Sequence, residues 1–168
     1  DLVLGGGSNI LLTKDFEGIV IKNEIKGIEK IKEDAHHVYV KAGAGENWHQ
    51  FVLHCINNNY AGIENLSLIP GSLGASPMQN NGAYGVEIKD VFYELEAFHK
   101  SEKVLKTFSL KDCNFEYRDS VFKNKYKDQF IITSVTLRLN KQPVFNTSYG
   151  AIVHELEKME VKDLTIQD

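Results

Sequence analysis

Alternation of apolar and polar positions marks strands in this chain, and a 3.6-residue period marks helices. Leu2–Leu4 reads as a short strand entering Gly5-Gly6-Gly7-Ser8-Asn9, and Gly18-Ile19-Val20-Ile21 as another. His37–Lys41 alternates, with Val38 and Val40 on one face, and ends in Ala42-Gly43-Ala44-Gly45. Trp48, Phe51, Val52, Cys55 and Ile56 recur at the spacing of one helical face. Asn57-Asn58-Asn59 and Gly62 close that helix. From Ile63 to Val86 the chain is long and irregular, with Pro70, Pro77 and several glycines; ordered loops of this length in a compact domain are usually functional. Val91–Phe98 and Lys103–Phe108 read as paired strands, and Ser109 to Asp112 as a cap opening a single helical turn. Phe130–Leu139 is the clearest strand, with Ile131, Thr133, Val135, Leu137 and Leu139 expected on one face. Asn140–Thr147, with Pro143, reads as a linker, and Ala151–Met159 as a new helix.

Composition narrows the classes. With 168 residues, 42% hydrophobic and 25% charged, the chain fits one globular domain or two small lobes. No apolar run is long enough for a transmembrane helix, so no membrane partner is expected. The net charge of −4 carries no basic stripe, which argues against a nucleic-acid partner and leaves a small anionic ligand open. Cys55 and Cys113 make no disulfide framework. The chain opens without Met inside an apolar run and stops without a terminating signal, so a fragment of a longer protein is expected. Oligomeric state is not legible.

Twelve of the 13 glycines lie at or before Gly85, so candidate chemistry concentrates in the first half. Gly5-Gly6-Gly7-Ser8-Asn9 leaves backbone N–H groups bare, a nest suited to a pyrophosphate. It is neither a Rossmann fingerprint nor a Walker loop, and alone it also reads as a plain glycine turn. Pro70-Gly71-Ser72-Leu73-Gly74-Ala75-Ser76-Pro77 and Gln79-Asn80-Asn81-Gly82-Ala83-Tyr84-Gly85 combine small residues with neutral hydrogen-bonding groups. That suits a neutral heterocycle plus phosphates and not a metal, which would want carboxylates or imidazoles; the alternative is a structural loop packed by its own side chains. In Tyr117-Arg118-Asp119-Ser120, Arg118 suits a carboxylate or phosphate, although an ordinary Arg–Asp surface pair is the simpler reading. His36 and His37 point opposite ways on a strand, so no metal site is expected.

Taken together and in order, LGGGSNILL at Leu4–Leu12, Ala42–Gly45 with Trp48, GIENLSLIPGSLGASPMQNNGAYGVEIKD at Gly62–Asp90, CNFEYRDSVFK at Cys113–Lys123 and the Ser-Tyr-Gly ending at Gly150 resemble the UDP-N-acetylenolpyruvoylglucosamine reductase (UDP-N-acetylmuramate dehydrogenase, MurB) family. The resemblance implies an α+β fold, the FAD-binding module of the vanillyl-alcohol-oxidase type, with two α+β lobes and the start of a substrate domain. It divides the chain into the rest of the first lobe (1–22), the second lobe (23–140), and a linker with the start of the substrate domain (141–168).

The same resemblance implies noncovalent FAD, NADPH as hydride donor, and a nucleotide-sugar substrate whose enolpyruvyl group is reduced in peptidoglycan precursor synthesis, in the bacterial cytoplasm. Gly5, Gly6, Gly7, Ser8 and Asn9 would hold the FAD pyrophosphate. Pro70, Gly71, Ser72, Gly74, Ala75, Ser76, Gln79, Asn80, Gly82, Ala83, Tyr84 and Gly85 would line the cofactor, and Ile132 would meet it through its backbone. Arg118 matches the active-site arginine and, with Tyr117 and Tyr149, faces the substrate. The family's proton-donating serine and its glutamate lie downstream and have no match here, so this stretch alone is expected to be inactive. Two alternatives stand beside this reading: another noncovalent FAD oxidoreductase of the same fold, and a non-catalytic nucleotide-binding module. No His or Cys lies within Pro70–Gly85 to tether a flavin.

Overall fold

A computed structural model describes all 168 residues. Strand β1 (Leu2–Leu4) pairs in parallel with β2 (Val20–Lys22) in a ladder of its own. Residues 1–22 contribute nothing to the main apolar cluster, and Leu11, Ile19 and Val20 are exposed.

The body is a five-stranded antiparallel sheet. Its strands are β3 (Ile28–Glu33), β4 (His37–Gly43), β7 (Phe92–His99), β8 (Val104–Ser109) and β9 (Phe130–Asn140), in the order β3-β4-β9-β7-β8. Between β4 and β7 lie helix α1 (Trp48–Asn57), a seven-residue 3-10 segment (Leu73–Gln79) and the small hairpin β5 (Gly82–Ala83) with β6 (Val86–Glu87). Helix α2 (Leu110–Cys113) follows β8, and α3 (Gly150–Lys158) follows β9.

Helix α1 lies over one face of the sheet. Its Trp48, Phe51, Val52 and Cys55 are buried together with Val38, Val40 and Ala42 of β4 and Val135, Leu137 and Leu139 of β9. Asn47 caps the helix by accepting from the Gln50 N–H at 3.0 Å. The Trp48 indole, wholly buried, donates to the Leu66 carbonyl at 2.7 Å, which ties α1 to the start of the irregular stretch. The single turn α2 carries a reciprocal Ser109–Asp112 capping box.

The structure differs from the sequence reading at two points. Strand β3 was not foreseen. It is an edge strand, Ile-Glu-Lys-Ile-Lys-Glu, with a register shift between Lys30 and Lys32, and such charge is how edges avoid further pairing. The face of β9 changes partway. Ala97 pairs with Ile132 and Glu96 with Ser134, so Thr133 is an extra residue. Ile132 therefore joins Val135, Leu137 and Leu139 in the core, and Ile131 and Thr133 do not. Residues 141–149, where the linker is expected, carry no helix or strand and are tethered to the wall, since Asn65 donates to the Asn146 carbonyl at 2.9 Å and Asn146 donates to the Gly85 carbonyl at 3.1 Å.

Candidate functional site

The glycine loop after β1 lies against the start of the Leu73–Gln79 segment. A Cβ on Gly6 would come within 2.9 Å of the Gly71 Cα, and one on Gly5 would strike the Ser72 hydroxyl. Gly7, at φ +72°, faces open space. No backbone N–H from Gly5 to Asn9 donates within the protein. On the other side, Gly74 donates to the Ala44 carbonyl at 2.9 Å, and a Cβ there would overlap the Ala44 methyl. Gly71, at φ +116°, accepts from the Trp48 N–H at 3.1 Å. Two backbones thus converge with almost no side chain between them.

They enclose a cleft of about 210 Å³. Leu4 and Gly5 line one side and Ser72, Gly74 and Ala75 another, with Ile131 and Ile132 of β9 adjoining. Not one residue from Pro70 to Gly85 is ionisable apart from Tyr84. The Ile132 carbonyl accepts from the Asn23 amide at 2.8 Å, so the bulged end of β9 is tied to the chain leaving β2.

The wall's polar side chains divide into two groups. Ser72 is almost buried, and its hydroxyl edges the cleft. Gln79 is half-buried and reaches Asn81 at 3.4 Å, while Pro70, Ala75, Tyr84 and Gly85 are exposed. Ser76 and Asn80 have no exposed surface. The Ser76 hydroxyl donates to the Leu73 carbonyl at 2.7 Å. Asn80 donates to the Glu116 carbonyl at 3.0 Å and accepts from the Lys89 N–H at 3.1 Å. Both side chains find their partners within the protein, behind the wall.

Gly82 and Ala83 carry the wall to Arg118. Arg118 sits in a tight turn bridged between Glu116 and Asp119, at φ +53°. Its Nη2 donates to the Gly82 carbonyl at 2.5 Å. Lys123 donates to the Arg118 carbonyl at 2.9 Å. The simple Arg–Asp surface pair is corrected: the Asp119 carboxylate accepts from the Ser120 N–H at 2.9 Å and from Asn124 at 2.7 Å, and makes no ion pair with Arg118. Tyr117 is 82% exposed, with the guanidinium 5.9 Å from its ring. Tyr149, at the start of α3, stands edge-on to Tyr84 with ring centres 5.5 Å apart. Asn65 holds that meeting by donating to the carbonyls of both Tyr84 and Asn146.

Below the Arg118 turn, Cys113 is buried, and burial pushes its thiol up to about 12, with Asp112 adding to the effect. No set of three His, Cys, Asp or Glu side chains is grouped to hold a metal ion. Sequence reasoning missed Asn23, Asn65, Asn146 and Ser120. Asparagine and serine in polar loops have no periodicity to single them out; only their partners do.

A bare glycine turn facing a neutral, backbone-lined wall fits a dinucleotide cofactor, with the pyrophosphate at the unpaired N–H groups and a flat ring against small residues. Residues 2–107 match the family described as the FAD binding domain, and the chain belongs to that family. Its relatives are more particular. Over 99% of its length it is 57% identical to the UDP-N-acetylenolpyruvoylglucosamine reductase of Amoebophilus asiaticus and 53% identical to that of Flavobacterium johnsoniae. Those matches cover 49% and 50% of the relatives, so the chain spans about half the length of the curated relatives it matches. Its fold resembles the crystal structure of UDP-N-acetylenolpyruvylglucosamine reductase from Thermus caldophilus, with a TM-score of 0.69 at 22% identity, covering 94% of this chain and 53% of that one. The resemblance read from the motifs is borne out, as is the α+β FAD-binding fold.

Proposed function

We propose that this chain is the flavin-holding half of an NADPH-dependent reductase that converts UDP-N-acetylglucosamine enolpyruvate to UDP-N-acetylmuramate, for peptidoglycan precursors in the bacterial cytoplasm. The observation that carries the reading is the uncharged run of chain from Ser72, Gly74 and Ala75 at the cleft to Gly82, whose carbonyl holds the Arg118 guanidinium.

Residues 1–22 would belong to the first flavin lobe, 23–140 to the second, and 141–168 would lead into the substrate domain. FAD, held without a covalent bond, would supply the hydride chemistry between NADPH and the enolpyruvyl double bond. Gly5–Asn9 would bind its pyrophosphate through backbone N–H groups. Ser72, Gly74, Ala75, Gly82 and Ala83 would present backbone and small side chains to its rings, and Ile131 and Ile132 would exclude water from the far side.

Arg118 would meet the substrate carboxylate. As hydride reaches the adjacent double bond, negative charge develops toward that carboxylate, and a fixed guanidinium aimed there stabilises it. One N–H held by Gly82 fixes the plane of the group and leaves its other donors for the anion. Tyr149, with Tyr84, offers an aromatic edge to the nucleotide sugar. The proton donor would come from the half of the protein beyond this chain.

The test is Arg118→Lys in the full-length protein, with the two half-reactions followed separately by stopped flow. Flavin reoxidation by the enolpyruvyl substrate should fall by about 10²-fold, the scale of losing an oxyanion donor. Flavin reduction by NADPH should change far less. Equal losses in both would reject the role of Arg118.

A further inference from the structure

The Arg118 turn has few anchors of its own. Tyr117 and Arg118 are exposed, and Arg118 adopts a left-handed conformation that a non-glycine residue enters at a cost. What places the turn is a set of side chains reaching across from the cleft wall and back. Asn80, itself left-handed at φ +45°, donates to the Glu116 carbonyl and accepts from the Lys89 N–H. Ser120, 1% exposed, donates to the Met78 carbonyl at 2.7 Å and accepts from the Phe122 N–H at 3.2 Å. The two clamps flank Arg118, one two residues before it and one two residues after.

We propose that Asn80 and Ser120 are positioning residues, which fix the Arg118 guanidinium relative to the flavin-lining wall without touching cofactor or substrate. The inference rests on the proposed role of Arg118. The wall from Leu73 to Gln79 ends at Asn80, so one buried side chain joins the element that would carry the flavin to the element that would carry the charge-stabilising group. A misplacement of about 1 Å at such a group costs as much as 10²-fold in rate, and Glu116 lies only two residues from Arg118. Asn80 suits the task because asparagine tolerates the left-handed conformation and presents both a donor and an acceptor.

Asn80→Asp tests this in the full-length enzyme. Aspartate keeps the left-handed backbone and the acceptor for Lys89, and it replaces the donor to the Glu116 carbonyl with an oxygen that repels it. Ser120→Ala is the milder second variant if the first folds poorly. Flavin reoxidation by the enolpyruvyl substrate should fall at least about tenfold in Asn80→Asp. FAD affinity and flavin reduction by NADPH should stay within about twofold. Amide hydrogen exchange across residues 114–121 should rise in both variants while exchange in β9 is unchanged, a readout that does not depend on activity.

Unchanged exchange and unchanged reoxidation in Asn80→Asp, with Arg118→Lys still impaired, would overturn the clamp alone. Loss of FAD, or equal losses in both half-reactions, would overturn it in favour of direct cofactor contact. If Arg118→Lys itself reoxidises normally, the reading of Arg118 fails and the positioning role falls with it.

Discussion

Adding one methyl group at Gly74 tests how the cleft is built. A Cβ there would overlap the Ala44 methyl and lie 3.0 Å from the Ala44 carbonyl oxygen. Ala44 is buried at 1% exposure, and its backbone N–H is bonded to the Thr133 carbonyl at 2.9 Å, so it cannot swing aside as a long side chain would. Relief requires the Leu73–Gln79 segment to move off the end of β4 by several tenths of an ångström or more. Overpacking of this kind costs about 1–3 kcal/mol. The movement also stretches the Gly74 to Ala44 hydrogen bond, 2.9 Å long, a further loss of about 0.5–1.5 kcal/mol.

The sum, about 1.5–4.5 kcal/mol, corresponds to a fall in Tm of about 3–18 °C for a protein of this size. Thermal unfolding followed by circular dichroism measures it, with Gly150→Ala as the control, since a Cβ at Gly150 meets nothing within 4 Å. The double variant with Ala44→Gly should recover part of the loss, because the clashing methyl is gone. A Gly74→Ala protein that melts within about 1 °C of the parent, an interval far below the expected shift, would refute the close approach of the two backbones.

Ser76→Ala should cost about 0.5–1.5 kcal/mol of stability and leave FAD affinity unaltered in a fluorescence titration, because its hydroxyl serves Leu73; weakened FAD binding with normal stability would contradict this. Burial raises the thiols of both Cys55 and Cys113, so both stay protonated in the folded protein. Reaction with a disulfide reagent at pH 8 should track unfolding, and above the ordinary thiol range, about 8.5, stability should fall as pH rises, because the unfolded chain releases protons that the folded one keeps; immediate labelling of the native protein would reject the burial. Glu96 is held below the ordinary carboxylate range by its bonds to Lys41 at 2.6 Å and Ser134 at 2.8 Å. Its contribution is present above the unfolded carboxylate range and lost as pH falls through the lowered folded value, so the Tm difference between parent and Glu96→Gln should be seen at neutral pH and vanish in acid.

The elements with strong periodicity were legible in the sequence. Helix α1, the pair β7 and β8, and the existence of β9 follow from spacing alone, because α1, β7 and β9 each bury one face against the core and β8 pairs along β7. Strand β3 was not legible, since an exposed edge rich in Lys and Glu satisfies no burial pattern. The bulge at Thr133 was not legible either. It exists only in the pairing with β7, and it decides which of Ile131 and Ile132 enters the core. At the site, the glycine loop and the neutral wall could be read directly, because glycine and small residues declare a close backbone approach. The duties of the amides could not: Asn80 and Ser72 look equally suited to a ligand as residue types. Only their partners distinguish the buried clamp from the hydroxyl at the cleft.

That distinction bears on why the wall is rich in polar residues with no charge among them. A surface that meets its ligand through backbone and small side chains has little packing of its own to hold it rigid. Support must come from behind, and a buried charge there would carry a desolvation cost that a hydrogen-bonded neutral amide or hydroxyl avoids. Ser76, Asn80 and Ser120 meet that condition, since every buried side-chain polar atom in the structure has a partner. The one strong charge at the end of the wall, Arg118, is left outside on an exposed turn and tethered at a single N–H to Gly82. The support is therefore neutral and buried while the charge is exposed and free to meet an anion, and Asn80 and Ser120 join the two.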